Sequence, residues 1–438
     1  MKQIYQQYMY SYPHKTAYRP VKRALVEQQL VKLAGQEVQL YVHLPFCQTK
    51  CGYCNLFSVA GCSEETIEHY LDAIERQVKQ IGRLLDLQKV RFCSLVLGGG
   101  TPVYLQTGQL ARLLGIVERF CGVIPEKVDS VIELSPNQTT PKKLDFLKTQ
   151  GFQRVSLGVQ SFQADELRAL GRAHSPESCH AALRQIAQQQ FAQFNLDLIY
   201  GVPGQSKESL LDSLEQAMRY TPSEVFLYPL YIKPGVPLAG QCAVEEQLAM
   251  QLYKTGRDFL KAQGYFQTSM RRFTRQPPEQ EPSTGCGFDQ MLALGCGGRS
   301  YLGALHVCEP YVVQPWACRE NLERFLQKED FLSGLSGCLL NEQEQWRRYV
   351  IKNLLYYSGI PLADYKARFG GAPEEQSPLL SELLNRGDAE LRGGRLRLTE
   401  QGLAYSDVIG PAFISKEVAA RTAEFYHSKD DKTLCHLP

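Results

Sequence analysis

Three cysteines, Cys47, Cys51 and Cys54, fall in a CxxxCxxC spacing within the run Tyr41-Val42-His43-Leu44-Pro45-Phe46-Cys47-Gln48-Thr49-Lys50-Cys51-Gly52-Tyr53-Cys54. Thiolates are the usual protein ligands of iron-sulfur clusters, and a cubane has four irons. Three protein ligands therefore leave one iron open to a small molecule. If the amino and carboxylate groups of S-adenosylmethionine chelate that iron, one electron from the cluster can break a C–S bond and give a 5′-deoxyadenosyl radical. The alternative is a structural zinc site, but zinc normally takes four protein ligands in CxxC-type pairs. No second pair occurs here. His43, on the run before the loop, is expected to pack in the core rather than act as a ligand.

A second signal is Ser94-Leu95-Val96-Leu97-Gly98-Gly99-Gly100-Thr101-Pro102, a glycine run after a β-rich stretch. Glycine lets a backbone approach a ligand and turn its N–H groups toward a charged head group. A lone glycine run is more often a tight turn without a ligand. Its place one strand after the cysteine loop favours the binding role.

These loops need strands to carry them. Short β-rich runs recur at Gln39 to Leu44, Ser94 to Leu97, Ser130 to Leu134, Arg154 to Gly158, Asn195 to Tyr200 and Val225 to Leu230. Stretches of helical periodicity separate them, among them Glu64 to Leu84 and Ser206 to Met218. Such alternation predicts βαβ units around a parallel sheet, and six of them would curl into a partial barrel. Ligands gather at the carboxyl ends of such strands, which is where both motifs fall.

The 438 residues predict two or three domains at roughly 100 to 200 residues each. We expect an N-terminal arm over 1–34, a β/α barrel over 35–232, an extension over 233–335 and a C-terminal unit over 336–438. The extension contains a Pro/Glu-rich stretch from Gln276 to Pro282 that predicts an exposed loop. In the last unit, helices near Asn341 to Tyr357, Leu362 to Phe369 and Leu379 to Arg386 precede a hairpin signal at Gly393-Gly394. That pattern resembles a winged helix. Its short wing and mixed charge favour a lid over a DNA-binding role.

A net charge of +2 gives no electrostatic footprint for nucleic acid, and no apolar run is long enough to span a membrane. The N-terminus lacks an apolar signal region, so the 14 cysteines predict reduced thiols and metal ligands in the cytoplasm rather than disulfides.

The motifs YVHLPFCQTKCGYC, LGGGTP, IELSPN, SLGVQSF, GRAH, NLDLIYGVPGQ and LALGCGGRSYLG, taken in order, resemble the radical S-adenosylmethionine (SAM) enzymes. The branch is that of oxygen-independent coproporphyrinogen III oxidase (HemN) and the haem chaperone HemW, and the likeness covers about residues 35 to 420. It implies an α/β fold, a partial (β/α)6 barrel with a C-terminal winged-helix-like domain. It also implies a [4Fe-4S] cluster on Cys47, Cys51 and Cys54. In the SAM pocket, Tyr41 would lie against the adenine, Gly99 and Gly100 would meet the methionine amino group, and Glu133 would hold the ribose hydroxyls. Gln160, Arg172 and Asp197 would complete that pocket. Gly100, Thr101, Tyr228 and Leu230 match positions where the oxidases bind a second SAM, which would permit methyl or methylene transfer.

One departure matters: the oxidases carry a fourth cysteine two residues after the third, and this chain has Leu56 there. The Tyr10-Ser11-Tyr12-Pro13 run is nevertheless similar to the Tyr-Pro arm of those oxidases. Arg271, Arg272 and Arg299 are candidate forks for propionate-like groups, with surface arginines the more ordinary reading. Cys286, Cys296 and Cys308 are expected as buried free thiols, an auxiliary cluster being the alternative. Two functions follow from the resemblance. The leading one is an enzyme abstracting hydrogen from a bulky conjugated or carboxylated substrate such as a tetrapyrrole, with oxidative decarboxylation or methyl or methylene transfer as outcome; the alternative is a chaperone that binds haem without substrate turnover. Either needs an electron donor such as a flavodoxin or ferredoxin to reduce the cluster.

Overall fold

The structure is a computed structural model that describes residues 4–5, 8–241, 245–277 and 290–434. Cys286 and most of the Pro/Glu-rich stretch lie outside the described residues. The chain divides into two compact units.

The larger unit, Pro20–Leu260 with Asp289–Gly337, contains the expected sheet. Strands β1 (Glu37–Leu44), β2 (Arg91–Gly99), β3 (Asp129–Leu134), β4 (Arg154–Gln160), β5 (Gln193–Tyr200) and β6 (Glu224–Pro229) lie side by side in sequence order. Each neighbouring pair is parallel. Helices α1 (Glu64–Gly82), α2 (Thr107–Cys121), α3 (Pro141–Thr149), α4 (Pro176–Gln189) and α5 (Lys207–Met218) make the crossovers. Their starts are written locally. Ser63 caps α1 by accepting from the Thr66 N–H, with Glu64 and Glu65 in the first turn. Ser175 and Ser206 do the same for α4 and α5 in capping boxes.

The two faces of the sheet differ. On β3 to β6, Ile132, Leu134, Val155, Leu157, Leu196, Leu198, Val225 and Leu227 are buried. The alternate residues Glu133, Ser156, Gly158, Asp197, Phe226 and Tyr228 keep accessible surface. Strand side chains alternate with period two, so these residues share the opposite face. That face is less completely covered by protein than the other.

The sheet also extends where the sequence suggested only a mixed segment. Strand β7 (Gln290–Leu294) pairs parallel with β1 on the side away from β2, and β8 (Arg299–Leu302) and β9 (Leu305–Cys308) follow antiparallel. The Gly295-Cys296-Gly297-Gly298 turn after β7 packs tightly. A Cβ on Gly297 would sit 2.7 Å from the Phe57 side chain, so this turn seats the end of the cysteine loop.

The smaller unit joins described residues of Met1–Arg19, Lys261–Phe288 and Cys338–Pro438. Helices at Glu342–Leu354, Leu362–Phe369 and Pro378–Asn385 pack with a three-stranded antiparallel sheet of Ile360–Pro361, Ala389–Arg392 and Arg395–Leu398. This is the winged-helix arrangement, and both turn glycines, Gly393 and Gly394, have the positive φ that such a two-residue hairpin requires. Tyr12 of the N-terminal segment is part of its core with Val350, Ile351 and Leu380, and donates to Glu344. Arg271 is buried here, paired with Asp407 and 4.1 Å from the Tyr8 ring centroid. The expectation of a propionate fork at Arg271 is therefore corrected: a buried guanidinium needs a counter-charge, and Asp407 supplies it. Arg299, in the larger unit, is buried as well, with Nη1 3.3 Å from the Tyr301 hydroxyl.

Candidate functional site

The cysteine loop leaves β1 at Pro45 and is fixed at three places. Gly100 N–H donates to Leu44 O at 2.8 Å and Thr101 N–H to Phe46 O at 2.7 Å, which lays the glycine turn along the loop's first residues. Gly52, at its centre, donates to Leu170 O at 3.0 Å and accepts from Leu238 N–H at 2.8 Å. A Cβ on Gly52 would be 2.6 Å from Leu238 Cγ, so only glycine fits. Lys50 Nζ reaches across to Leu56 O at 3.2 Å and Ser58 O at 3.3 Å.

Cys47, Cys51 and Cys54 are free, half-buried thiols. Each has its own polar neighbour: Thr101 Oγ1 is 3.8 Å from Cys47 Sγ, Arg172 Nη1 is 3.1 Å from Cys51 Sγ, and Ser58 Oγ is 4.0 Å from Cys54 Sγ. Burial pushes the Cys47 thiol up to about 12, and repulsion from Cys54 and Cys51 adds to it. Cys54 is raised by burial and by Cys51. Thiolates that disfavour one another in this way are stabilised by cationic iron. Among the described residues no three His, Cys, Asp or Glu side chains are gathered as for a single metal ion. A cubane does not require that, because each thiolate binds a different iron. The donor set thus fits a cluster.

His43 is buried behind the loop and links two parts of the site. Its Nδ1 is 3.0 Å from the Tyr41 hydroxyl and its Nε2 is 2.8 Å from Phe57 O, the latter necessarily as donor. Gly99, with φ of +113°, makes room for that imidazole, since a Cβ there would lie 2.6 Å from His43 Cε1. The expectation that this turn offers its N–H groups to a head group is corrected. Gly99 N–H donates to Glu133 Oε2 at 3.1 Å and Gly100 N–H to Leu44 O. Both N–H groups are therefore already used within the protein.

Further along the accessible face, Glu133 and Asp197 are each held by one oxygen. Glu133 Oε2 takes the Gly99 N–H, and Asp197 Oδ1 takes Asn195 Nδ2 at 2.8 Å. Their other oxygens have no hydrogen bond from the described residues. Both carboxyls are raised by burial, Asp197 to about 7 with a contribution from Glu133. Acids that are enclosed by protein yet retain surface line a recess, and their open oxygens suit hydroxyl donors. Gln160 ends β4 at a bulge with φ of +73°. Arg172 Nη2 donates to Gly158 O at 2.7 Å beside it. Tyr228 stacks on Phe226 with ring centroids 5.3 Å apart on the same face. Leu230 is 2% exposed and packs with Leu170, Ile199 and Val202 in a cluster that Tyr53 and Tyr228 flank.

Sequence reasoning passed over Asn195, Ser156 and Lys50. The first two had a signal: polar residues at alternate positions, in register with Glu133, within otherwise apolar strands. Buried Glu166 was also unmarked. It accepts from Ser161 Oγ, Gln205 Nε2 and Ser209 Oγ at 2.6 to 2.9 Å and so fixes the turns after β4 and β5.

Comparison with known proteins agrees with this geometry. The radical SAM superfamily model matches residues 41–217 and the HemN C-terminal domain model matches residues 340–405. The chain thus carries a radical SAM domain and a HemN C-terminal domain. Radical SAM proteins in general hold a [4Fe-4S] cluster and bind SAM. The haem chaperone HemW of Mycobacterium tuberculosis is 28% identical over 391 residues, covering 87% of this chain and 95% of that protein. The oxygen-independent coproporphyrinogen III oxidase of Escherichia coli is 25% identical over 433 residues, covering 91% and 92%. The solved structure of HemN from Escherichia coli superposes with a TM-score of 0.75 at 23% identity, covering 93% of this chain and 98% of that one. It establishes the shared fold, the partial β/α barrel with its C-terminal domain. Among the described residues no helix is long and apolar enough to cross a membrane.

Proposed function

We propose that this protein is a cytoplasmic haem chaperone of the HemW type that holds a [4Fe-4S] cluster on Cys47, Cys51 and Cys54 and SAM in the adjoining recess. The observation that carries the reading is Leu56. An exposed apolar side chain stands where coproporphyrinogen oxidases have a fourth cysteine, while the rest of the cysteine loop is kept. The higher identity to HemW, 28% against 25% for the oxidase, supports the same choice.

A bound cluster, held by Cys47, Cys51 and Cys54, would supply the single electron for reductive cleavage of SAM. The protein's own part is binding and orientation. Tyr41, steadied by His43, would lie against the adenine. The turn at Gly99 and Gly100 would accept from the methionine ammonium, and Glu133 and Asp197 would accept from sugar hydroxyls, which favours their charged forms. Gln160 and Arg172 would close the recess. Thr101 and Tyr228 lie where a second SAM would bind in the oxidase reading, and Leu230 would contribute only its backbone there.

A second reading, a SAM-cleaving enzyme acting on a small organic or tetrapyrrole substrate, would use the same recess and is supported by the likeness to coproporphyrinogen oxidase over most of both chains. One experiment separates the two. Anaerobically reconstituted protein is titrated with haem by absorbance, and in parallel incubated with SAM and dithionite or reduced flavodoxin, followed by chromatography for 5′-deoxyadenosine. Stoichiometric haem binding with little 5′-deoxyadenosine supports the chaperone. Sustained multi-turnover 5′-deoxyadenosine with no haem binding overturns it in favour of the enzyme.

A further inference from the structure

Arg172 is a half-buried cation without a carboxylate partner. Its Nη1 donates to Cys51 Sγ at 3.1 Å and its Nη2 to Gly158 O at 2.7 Å, while Nε is enclosed with no hydrogen bond. Among the described residues no aspartate or glutamate forms an ion pair with it. Arg154 and Arg271, by contrast, are balanced in the ordinary way, by Glu224 and by Asp407. A guanidinium does not lose its proton in proteins, so an anion must balance it.

We infer that the anion is the cluster itself, and that Arg172 is its counter-ion at the Cys51 corner. This role is separate from the SAM contact proposed above and rests on the reading that the three cysteines hold a cluster. The backbone confirms that the placement is built in. Gly171 has φ of +65°, and a Cβ on it would lie 2.9 Å from Gly52 N, so the Arg172 segment is pressed directly against the centre of the cysteine loop. The Gly52 N–H bond to Leu170 O locks the same two segments together. A fixed positive charge with an N–H donor on a ligand sulfur stabilises the reduced, more negative cluster and raises its potential.

The test compares wild type, Arg172→Lys and Arg172→Gln after anaerobic reconstitution, without SAM. Iron and sulfide content are measured, then the midpoint by potentiometric titration followed by electron paramagnetic resonance. We expect Arg172→Gln to load less cluster or to titrate at a more negative potential, and Arg172→Lys to recover most of either loss because it keeps the charge. Equal content and equal midpoint in Arg172→Gln overturn the inference. So does failure of both variants to load while circular dichroism matches wild type, because charge then is not what matters. If wild type itself takes up no iron and sulfide, the cluster reading fails instead.

Discussion

The two ends of the sheet's accessible face treat charge in opposite ways. At the amino end, Arg154 opens β4 and Glu224 opens β6, and the two meet across β5 at 2.5 Å with little exposure. At the carboxyl end, Glu133 and Asp197 each use one oxygen, and Arg172 is left facing a thiol. Buried charge is costly unless paired, so an end that pairs its own charges is built for stability and an end that does not is built for a ligand. The same division runs along strands in β/α barrels generally.

Substitutions break or sharpen this contrast. The largest effect is expected from Cys51→Ala, which should lower reconstituted iron and sulfide to background while leaving the far-ultraviolet circular dichroism spectrum unchanged. Arg154→Met removes the guanidinium that balances buried Glu224 and should cost about 3 kcal/mol in chemical denaturation, with iron uptake per folded protein retained. Loss of cluster without loss of fold in that variant would contradict the division of labour. Gly99→Ala forces a side chain at φ of +113° into the His43 ring. It should cost about 1 to 3 kcal/mol and abolish SAM binding measured by equilibrium dialysis.

Asp197→Asn tests the carboxyl end through pH. The folded-state value of about 7 lies above the roughly 3.9 of an unfolded aspartate. The folded protein therefore binds the extra proton in between, and its stability contribution is full below about 4 and lost as pH rises through about 7. Without SAM, the stability of wild type relative to Asp197→Asn should fall across that window in denaturation series at fixed pH. A flat difference would mean that Asp197 is not enclosed. The smallest effect is expected from Tyr41→Phe, which removes the hydroxyl from His43 but keeps the ring. About 1 kcal/mol of stability and a few-fold in SAM affinity are expected.

Much of this was legible in order along the chain. The six strands and their crossovers follow from hydrophobic periodicity and glycine and proline punctuation, which are local properties. The wing follows from Gly393-Gly394, whose φ values only glycine adopts easily. The cysteine loop was visible because three thiols in one short segment need no tertiary information to be neighbours. Other features could not be read this way. That β7 joins the sheet beside β1 depends on pairing residues some 250 positions apart, and no local pattern encodes a distant partner. Arg271 and Arg172 look alike in sequence. Only packing decided that one meets Asp407 and the other Cys51, because the counter-charge of a buried cation is set by what the fold brings to it. The sequence by itself determined which groups are able to bind a cluster and its cofactor. The tertiary structure decided which of them are already satisfied by the protein and which remain for a ligand, since hydrogen-bond satisfaction belongs to neighbours in space.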